Sequence, residues 1–438
     1  MAAAVQSHVA EVAKRKSVGL FYYAGHGVQL AWRNYMLPVD AEVETIADIQ
    51  RQGVEVNSLL EGLGRAGTAM NVIILDACRD NPFGHLQGVD QKGLSQMDAP
   101  RDTLLAYATS PGHVASDGAG ANGLYTENLL REIAVREAKI EDVFKRVRLG
   151  VRRQSNGAQI PWESTSLEDD FYFIPPSRTV EPSETEKSRR FDEELALWQK
   201  IRGATDPAPL EDYLRRYPSG RFAELAQLQL DRVLARRGER KIRIASAEGN
   251  PFTKGSAAAN TGWSVGDSYT YRVLDRLTIA EGHATQVFTV ADITESEVRF
   301  GNGQVVDLLG NVLRRPGGRV YTPNQLEPVD YAVGKQWRTE FRITTPGGSE
   351  GQTEMNLKIA ARESITVPAG AFNAFRIEGR GIFADPGHRH AEETLLRKWV
   401  APDRLRFPVA MEEIRQRGGK NVRVLQSRRW ELVSFRES

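Results

Sequence analysis

Three short apolar runs near the start of the chain, Val18 to Tyr23, Val72 to Asp76 and Thr103 to Ala108, constrain the fold more than any other feature. A strand with one wet face alternates apolar and polar residues, whereas a continuous apolar run belongs to a strand covered on both faces. Helix-like segments lie around 45 to 65 and 124 to 152, so residues 1–174 are expected to form an α/β domain around a mainly parallel sheet. Sites in such sheets form past the carboxyl ends of the strands. Tyr22-Tyr23-Ala24-Gly25-His26-Gly27 closes the first run, and the second continues into Asp76-Ala77-Cys78-Arg79-Asp80. Cys78 is the chain's single cysteine and follows His26 by 52 residues. A thiol nucleophile needs a nearby imidazole to lower its pKa or take its proton, and neighbouring strands can bring the two together. The plain alternative, a buried structural Cys and an unrelated loop His, remains open at this point.

Composition excludes several classes. Lys plus Arg number 58 against 57 Asp plus Glu, a net charge of +1, so no global field draws the chain to nucleic acid or acidic lipid. One cysteine rules out an internal disulfide framework and a Cys-rich zinc site. No run of 18 apolar residues occurs, and Met1 to His8 lacks the basic and apolar segments of a secretory signal. No membrane span is expected. The chain as given reads as soluble, with the compartment, cytoplasmic or exported, left open.

At 438 residues several folding units are expected. Residues 175–190 are polar and Pro-rich and read as a linker. Residues 191–236 carry helical spacing, as in Leu210, Tyr213, Leu214 and Tyr217, broken at Pro218-Ser219-Gly220, and form a short helical module. A second linker covers 237–260. From 261 to 438, alternating runs such as Ser268 to Val273 and Gln286 to Val290, punctuated by Gly-Asp, Gly-Asn and Pro-Gly-Gly turns, argue a C-terminal antiparallel β domain, barrel or sandwich.

The first region resembles the caspase-like cysteine peptidases (peptidase C14), nearer to bacterial metacaspases than to animal caspases. The likeness rests on Tyr23-Ala24-Gly25-His26-Gly27, Asn34 to Asp40, Asp76 to Phe83, and Ala106-Tyr107-Ala108-Thr109-Ser110-Pro111-Gly112, in that order. Caspases carry their His about 50 residues upstream of the Cys. The resemblance implies that Cys78 attacks the scissile carbonyl, that His26 acts as base and then acid, and that main-chain N–H groups of Gly27 and Cys78 form the oxyanion hole. It also implies that Asp76, with Tyr107 and Ser110, lines an S1 pocket for Arg or Lys. Alternation aims positions 76 and 78 to one side of the strand. Asp76 as a helix-capping carboxylate is the competing reading. The Gln-Ala-Cys-Arg-Gly signature of caspases is absent, although Arg79 follows Cys78.

Family members normally open with a strand reading like Ala-Leu-Val-Ile-Gly-Asn and an acidic loop residue; this chain starts in the helix before Val18, so that strand is expected to be missing. Ala24 stands where some relatives have a Ser that touches the P1 group. No cofactor is expected: some relatives need calcium, but no acidic cluster here has the spacing of a calcium loop. His85, His113, the His388-Arg389-His390 pair and the Gly-rich segment 116–123 read as solvated loops. The helical stretch Tyr217 to Ala226 resembles repeats found behind bacterial caspase-like domains, and Ile365 to Phe372 with Arg397 to Pro402 resembles β-rich domains of bacterial envelope proteins. The expected partners are a protein or peptide substrate and a protein bound by the helical and β domains. The alternative to a peptidase is a catalytically impaired caspase-like scaffold acting through those domains.

Overall fold

A computed structural model describes residues 1–78, 86, 94–110, 122–177, 182–239, 250, 252–277, 284–383, 392–417 and 422–438. The chain divides into two units, Met1–Lys254 and Gly255–Ser438.

The first unit is built on a six-stranded sheet of β1 (Val18–Leu30), β2 (Arg33–Met36), β3 (Val54–Glu55), β4 (Met70–Cys78), β5 (Thr103–Tyr107) and β6 (Trp162–Thr165), in the order β3-β2-β1-β4-β5-β6. Its helices are α1 (Ala2–Arg15), α2 (Ile46–Gln52), α3 (Val56–Ala66), α4 (Leu124–Ile133) and α5 (Ile140–Gln154). Val72, Ile73, Ile74 and Leu75 of β4 are all at most 3 % exposed, because helices cover both faces. Val56, Leu59, Leu60 and Leu63 form one stripe of α3 and pack with Val5 of α1 against Ile73, Leu75 and Leu105. On the other face Ile140, Val143, Phe144, Val147 and Val151 of α5, with Tyr125 and Leu129 of α4, cover Val72, Ile74, Leu104 and Ala106. Burying one Leu or Phe of such stripes contributes about 1.5–3 kcal/mol.

The expectation of a mainly parallel sheet holds only at the centre. β1–β4 and β4–β5 are parallel, while β2, β3 and β6 are added antiparallel. The short return from Leu30 to Arg33 permits only an antiparallel β2, because a parallel neighbour needs a long crossover. β1 pairs with β4 from Val18 to His26 but with β2 only from Gly27 to Leu30. Along Val18–His26, no strand among the described residues flanks the side away from β4, and Val18, Leu20 and Tyr22 are 40 %, 48 % and 41 % exposed.

The helical module consists of α6 (Glu184–Ile201), α7 (Pro207–Arg216) and α8 (Ala223–Arg236). The Ser183 side chain accepts from Glu186 N and caps α6, so helix occupies part of the segment expected to be a linker. The module docks on α5 of the same unit: Arg152 bonds Asp231 at 2.7 Å and Glu239 at 2.8 Å, and Lys145 donates to Ser219 at 2.8 Å.

The second unit is a closed antiparallel barrel. Its strands are β8 (Ser268–Asp275), β9 (Ala284–Ile293), β10 (Glu297–Phe300), β11 (Val305–Asp307), β12 (Val312–Arg314), β13 (Val320–Tyr321), β15 (Gln336–Thr344), β16 (Glu350–Val367), β17 (Gly370–Phe383), β18 (Glu392–Val400), β19 (Ala410–Arg417) and β20 (Arg423–Arg436). Pairing of β8 with both β9 and β20 closes it, which removes exposed strand edges. A separate pair, β7 (Ser256–Ala258) with β14 (Asp330–Ala332), sets Ala257 and Tyr331 against Met355, Leu357 and Phe375. Among the described residues, no helix is long and apolar enough to cross a membrane.

Candidate active site

The parallel ladder of β1 and β4 sets His26 opposite Cys78, Ala24 opposite Asp76 and Tyr22 opposite Ile74. Partners in a ladder share a face, so Tyr22, Ala24 and His26 lie on the α4/α5 face with Asp76. β4 ends at Cys78, whereas β1 runs on to Leu30, so His26 lies where its pairing with β4 stops and its pairing with β2 begins. His26 is exposed, and its carbonyl accepts from Leu37 N at 3.0 Å. Main-chain groups alternate in direction along an antiparallel pair, so those of the next residue, Gly27, point to the β4 side, where β4 ends.

Tyr23, on the opposite face and only 8 % exposed, fixes this turn of chain. Its hydroxyl lies 2.8 Å from His26 O and 2.7 Å from Leu37 O, and it accepts from Leu37 N at 3.0 Å. Burial pushes the Tyr23 hydroxyl up to about 12, so it stays a neutral donor. A Cβ at Gly25 would fall 2.7 Å from that hydroxyl, and one at Gly27 would fall 2.7 Å from Leu94 Cδ2. Close approach calls for glycine at both positions, and Gly25 in addition holds φ +158°, which L side chains rarely adopt. The Leu94 segment is itself held by Asn34, fully buried, whose Nδ2 donates to Ser95 O at 2.8 Å and whose Oδ1 accepts from Ser95 N at 2.7 Å.

Asp76 is partly exposed. Its Oδ2 accepts from Thr126 Oγ1 at 2.5 Å and from Tyr22 OH at 3.2 Å, and the two hydroxyls are 2.7 Å apart. Thr126 lies in the first turn of α4, so the carboxylate sits at a helix N-terminus, where the macrodipole favours negative charge. Burial, with the Asp76 charge adding to it, holds the Tyr22 phenol above its usual range, which keeps it a proton donor to the carboxylate. Tyr125 beside it is fully buried, and its hydroxyl has no hydrogen-bond partner among the described residues. A partly exposed carboxylate held by neutral hydroxyls can receive a cationic group.

Tyr107 departs from the sequence expectation. Register pairs it with Leu75, and it is buried among Leu75, Ala77 and Leu94 on the α1/α3 face, opposite to Asp76. Ser110 lies past the end of β5, fully buried, with its N–H donating to Ile160 O at 2.6 Å. Neither the sequence spacing nor the motifs singled out the hydroxyls of Tyr22 and Thr126 on Asp76, the Tyr23 clamp, or the Asn34 bracket. Two of these had a signal: consecutive Tyr22 and Tyr23 in a strand must serve opposite faces. Arg79, Asp80, His85, His113, 116–121, His388 and His390 lie outside the described residues.

A parallel strand pair whose register sets a histidine opposite the chain's only cysteine, two positions beyond an acidic residue and with helices on both sheet faces, has the layout of a cysteine-peptidase-like α/β domain. Residues 1–172 match the family model of the caspase domain (peptidase C14), and this N-terminal region belongs to that caspase-like family. No curated protein matches the chain. Among solved structures, a lipoprotein candidate from Parabacteroides distasonis and an exported-protein candidate with a YmcC-like fold from Bacteroides fragilis are similar at 11 % and 12 % identity. Each match covers 41 % of this chain and 100 % of the other, with a TM-score of 0.26.

Proposed function

We propose that the N-terminal domain is a cysteine endopeptidase that cleaves after Arg or Lys through Cys78 and His26. The observation that carries this reading is the register His26 opposite Cys78, with partly exposed Asp76 two positions earlier on β4. In the reaction, the Cys78 sulfur forms a bond to the scissile carbonyl carbon as its proton passes to His26. The C–N bond then breaks, and the imidazolium gives that proton to the leaving amine. Water, deprotonated by His26, attacks the thioester, and the acid is released with the thiol restored. The N–H of Gly27, aimed at the end of β4, with that of Cys78, stabilises the oxyanion. Asp76 receives the P1 cation, which exchanges for the hydroxyls of Tyr22 or Thr126 on its oxygens. Tyr107 is not proposed again as part of S1; Ser110 is kept as a wall of that pocket. Hydrolysis of fluorogenic peptides differing only at P1 tests the reading: Arg and Lys substrates turn over, an Asp substrate does not, and Cys78→Ala is inert.

The exposed side chains Val18, Leu20 and Tyr22, on the stretch of β1 that pairs only with β4 among the described residues, favour a second reading. In it, the caspase-like domain is a non-catalytic scaffold and the other domains bind the partner. A chain inert to all P1 variants and to thiol-directed peptide probes supports that alternative.

A further inference from the structure

The barrel of the second unit encloses a cavity of about 260 Å3 that plays no part in the peptidase reading. Its floor is aromatic. Tyr271, Phe288 and Phe407 line it and pack together with ring centroids 5.5 to 6.1 Å apart, and Met355, Leu396 and Phe341 extend the apolar wall. Three lining residues nevertheless carry a buried polar atom with no hydrogen-bond partner among the described residues: Thr353 Oγ1, Thr394 Oγ1 and Asn324 Oδ1. Thr353 and Asn324 are 1 % exposed and Thr394 6 %. The Asn324 amide is held by Nδ2 donating to Val312 O at 2.9 Å, which leaves Oδ1 as a fixed acceptor. Unpaired buried polar groups are costly and rare, so three around one cavity point to an occupant that bonds them.

The charges around the cavity indicate the occupant's sign. Glu413 bonds Arg415 at 2.7 Å and Lys398 bonds Glu327, whereas Arg315 and Arg428 form no ion pair among the described residues, although the ladder sets Arg428 opposite Glu413 and Asp275; the cations Arg315, Lys398, Arg415 and Arg428 outnumber the carboxylates Glu413 and Glu327. Register places Arg428 opposite Asp275, the last residue of β8, and Arg314 opposite Val320, which in turn pairs with Thr344, the last residue of β15. Arg428 and Arg315 therefore stand at one end of the barrel, and the aromatic floor faces them. A cavity of about 150 Å3 holds benzene, so this one suits a chain of about ten carbon atoms, with its charged oxygens at the exposed Arg315 and Arg428.

We propose that the barrel binds a small hydroxylated organic acid: its apolar chain lies on the aromatic floor, its hydroxyl bonds the Thr353, Thr394 and Asn324 atoms, and its carboxylate meets Arg315 and Arg428. This site does not depend on the peptidase reading. The test is isothermal titration calorimetry of the full chain with 3-hydroxydecanoate, decanoate and decane-1,3-diol, each below its aggregation concentration. 3-Hydroxydecanoate binds at least about 5- to 10-fold tighter than decanoate, the net gain of one or more hydrogen bonds. The uncharged diol binds at least about 10-fold more weakly than 3-hydroxydecanoate, since a charge-assisted bond is lost. Thr353→Val with Thr394→Val reduces the preference for the hydroxyl, which keeps only Asn324 Oδ1, and leaves decanoate binding in place. Leu396→Trp, which fills the cavity, abolishes binding of both acids. Should that variant misfold, Arg315→Glu with Arg428→Glu at exposed positions removes the advantage of acid over diol. Absence of heat with all three ligands, equal affinity for acid and diol, or undiminished binding in Leu396→Trp overturns the proposal.

Discussion

Replacing Tyr23 by Phe removes one oxygen from beneath the candidate site and leaves the ring in the core. That hydroxyl accepts from Leu37 N and lies within bonding distance of the carbonyls of Leu37 and His26. Leu37 N retains His26 O at 3.0 Å, but Leu37 O loses its hydroxyl partner at a residue only 5 % exposed. Stranding a buried acceptor costs about 1–3 kcal/mol. With a urea slope of about 2–3 kcal/mol/M, the unfolding midpoint of the transition that reports this region drops by roughly 0.3–1.5 M. Loosening of the chain around His26 also lowers the rate of thiol acylation at Cys78 by about 10-fold, the scale of a small misplacement of a catalytic group. The clamp has a further signature in Gly25, whose added Cβ would lie 2.7 Å from the same hydroxyl. Gly25→Ala alone costs about 1–3 kcal/mol by overpacking, and less in the Tyr23→Phe background, so the two changes are non-additive. Urea titrations of the full chain followed by circular dichroism give all four midpoints. An unchanged midpoint in Tyr23→Phe, or strict additivity with Gly25→Ala, refutes the clamp.

Asp76→Asn keeps the shape of the pocket and removes its charge, so labelling by an electrophilic peptide probe with Arg at P1 slows by about 10- to 100-fold, while a probe with a neutral P1 is unaffected. Asn34→Ala leaves the Ser95 main chain unpaired and costs about 2–4 kcal/mol, read as a lower thermal midpoint. Asp307 in the barrel is fully buried, and burial raises its carboxyl to about 7, against hydrogen bonds from Asn311 and Leu309 that pull it down. Its folded value lies above the unfolded one, near 3.9, so the folded state holds the extra proton between those values. Stability from this group is therefore full below pH about 4 and declines as pH rises through about 7, by a total on the order of 4 kcal/mol. Urea midpoints of wild type and Asp307→Asn across that window check it: the variant lacks this component of the decline.

The architecture was legible where a residue's surroundings follow from its own period. Val72 to Leu75 read as a doubly covered strand because they are one, and the run Ser268 to Val273 alternates because one side faces the barrel core. The barrel's closure was not legible, since it depends on β8 meeting β20, more than 150 residues away. Tyr107 shows the limit within the site. Alternation relates residues 76 and 78 of one strand, but which face residue 107 shares depends on the β4–β5 register, a tertiary property. The contact of Thr126 with Asp76 likewise arises only when α4 docks across the sheet. Ser183 is the opposite case: Ser-Glu-Thr-Glu is a helix-start pattern, and it begins α6 inside a stretch whose proline content argued for a linker.

The central claim is that the chain's single thiol is an acylating nucleophile governed by an acidic S1 pocket. Intact-mass spectrometry after incubation with an acyloxymethyl ketone peptide bearing Arg at P1 tests it most directly. One adduct on Cys78, lost in His26→Ala and formed at least about 100-fold faster than with Asp at P1, is the predicted result. No adduct on Cys78, or equal rates with Arg and Asp, contradicts it.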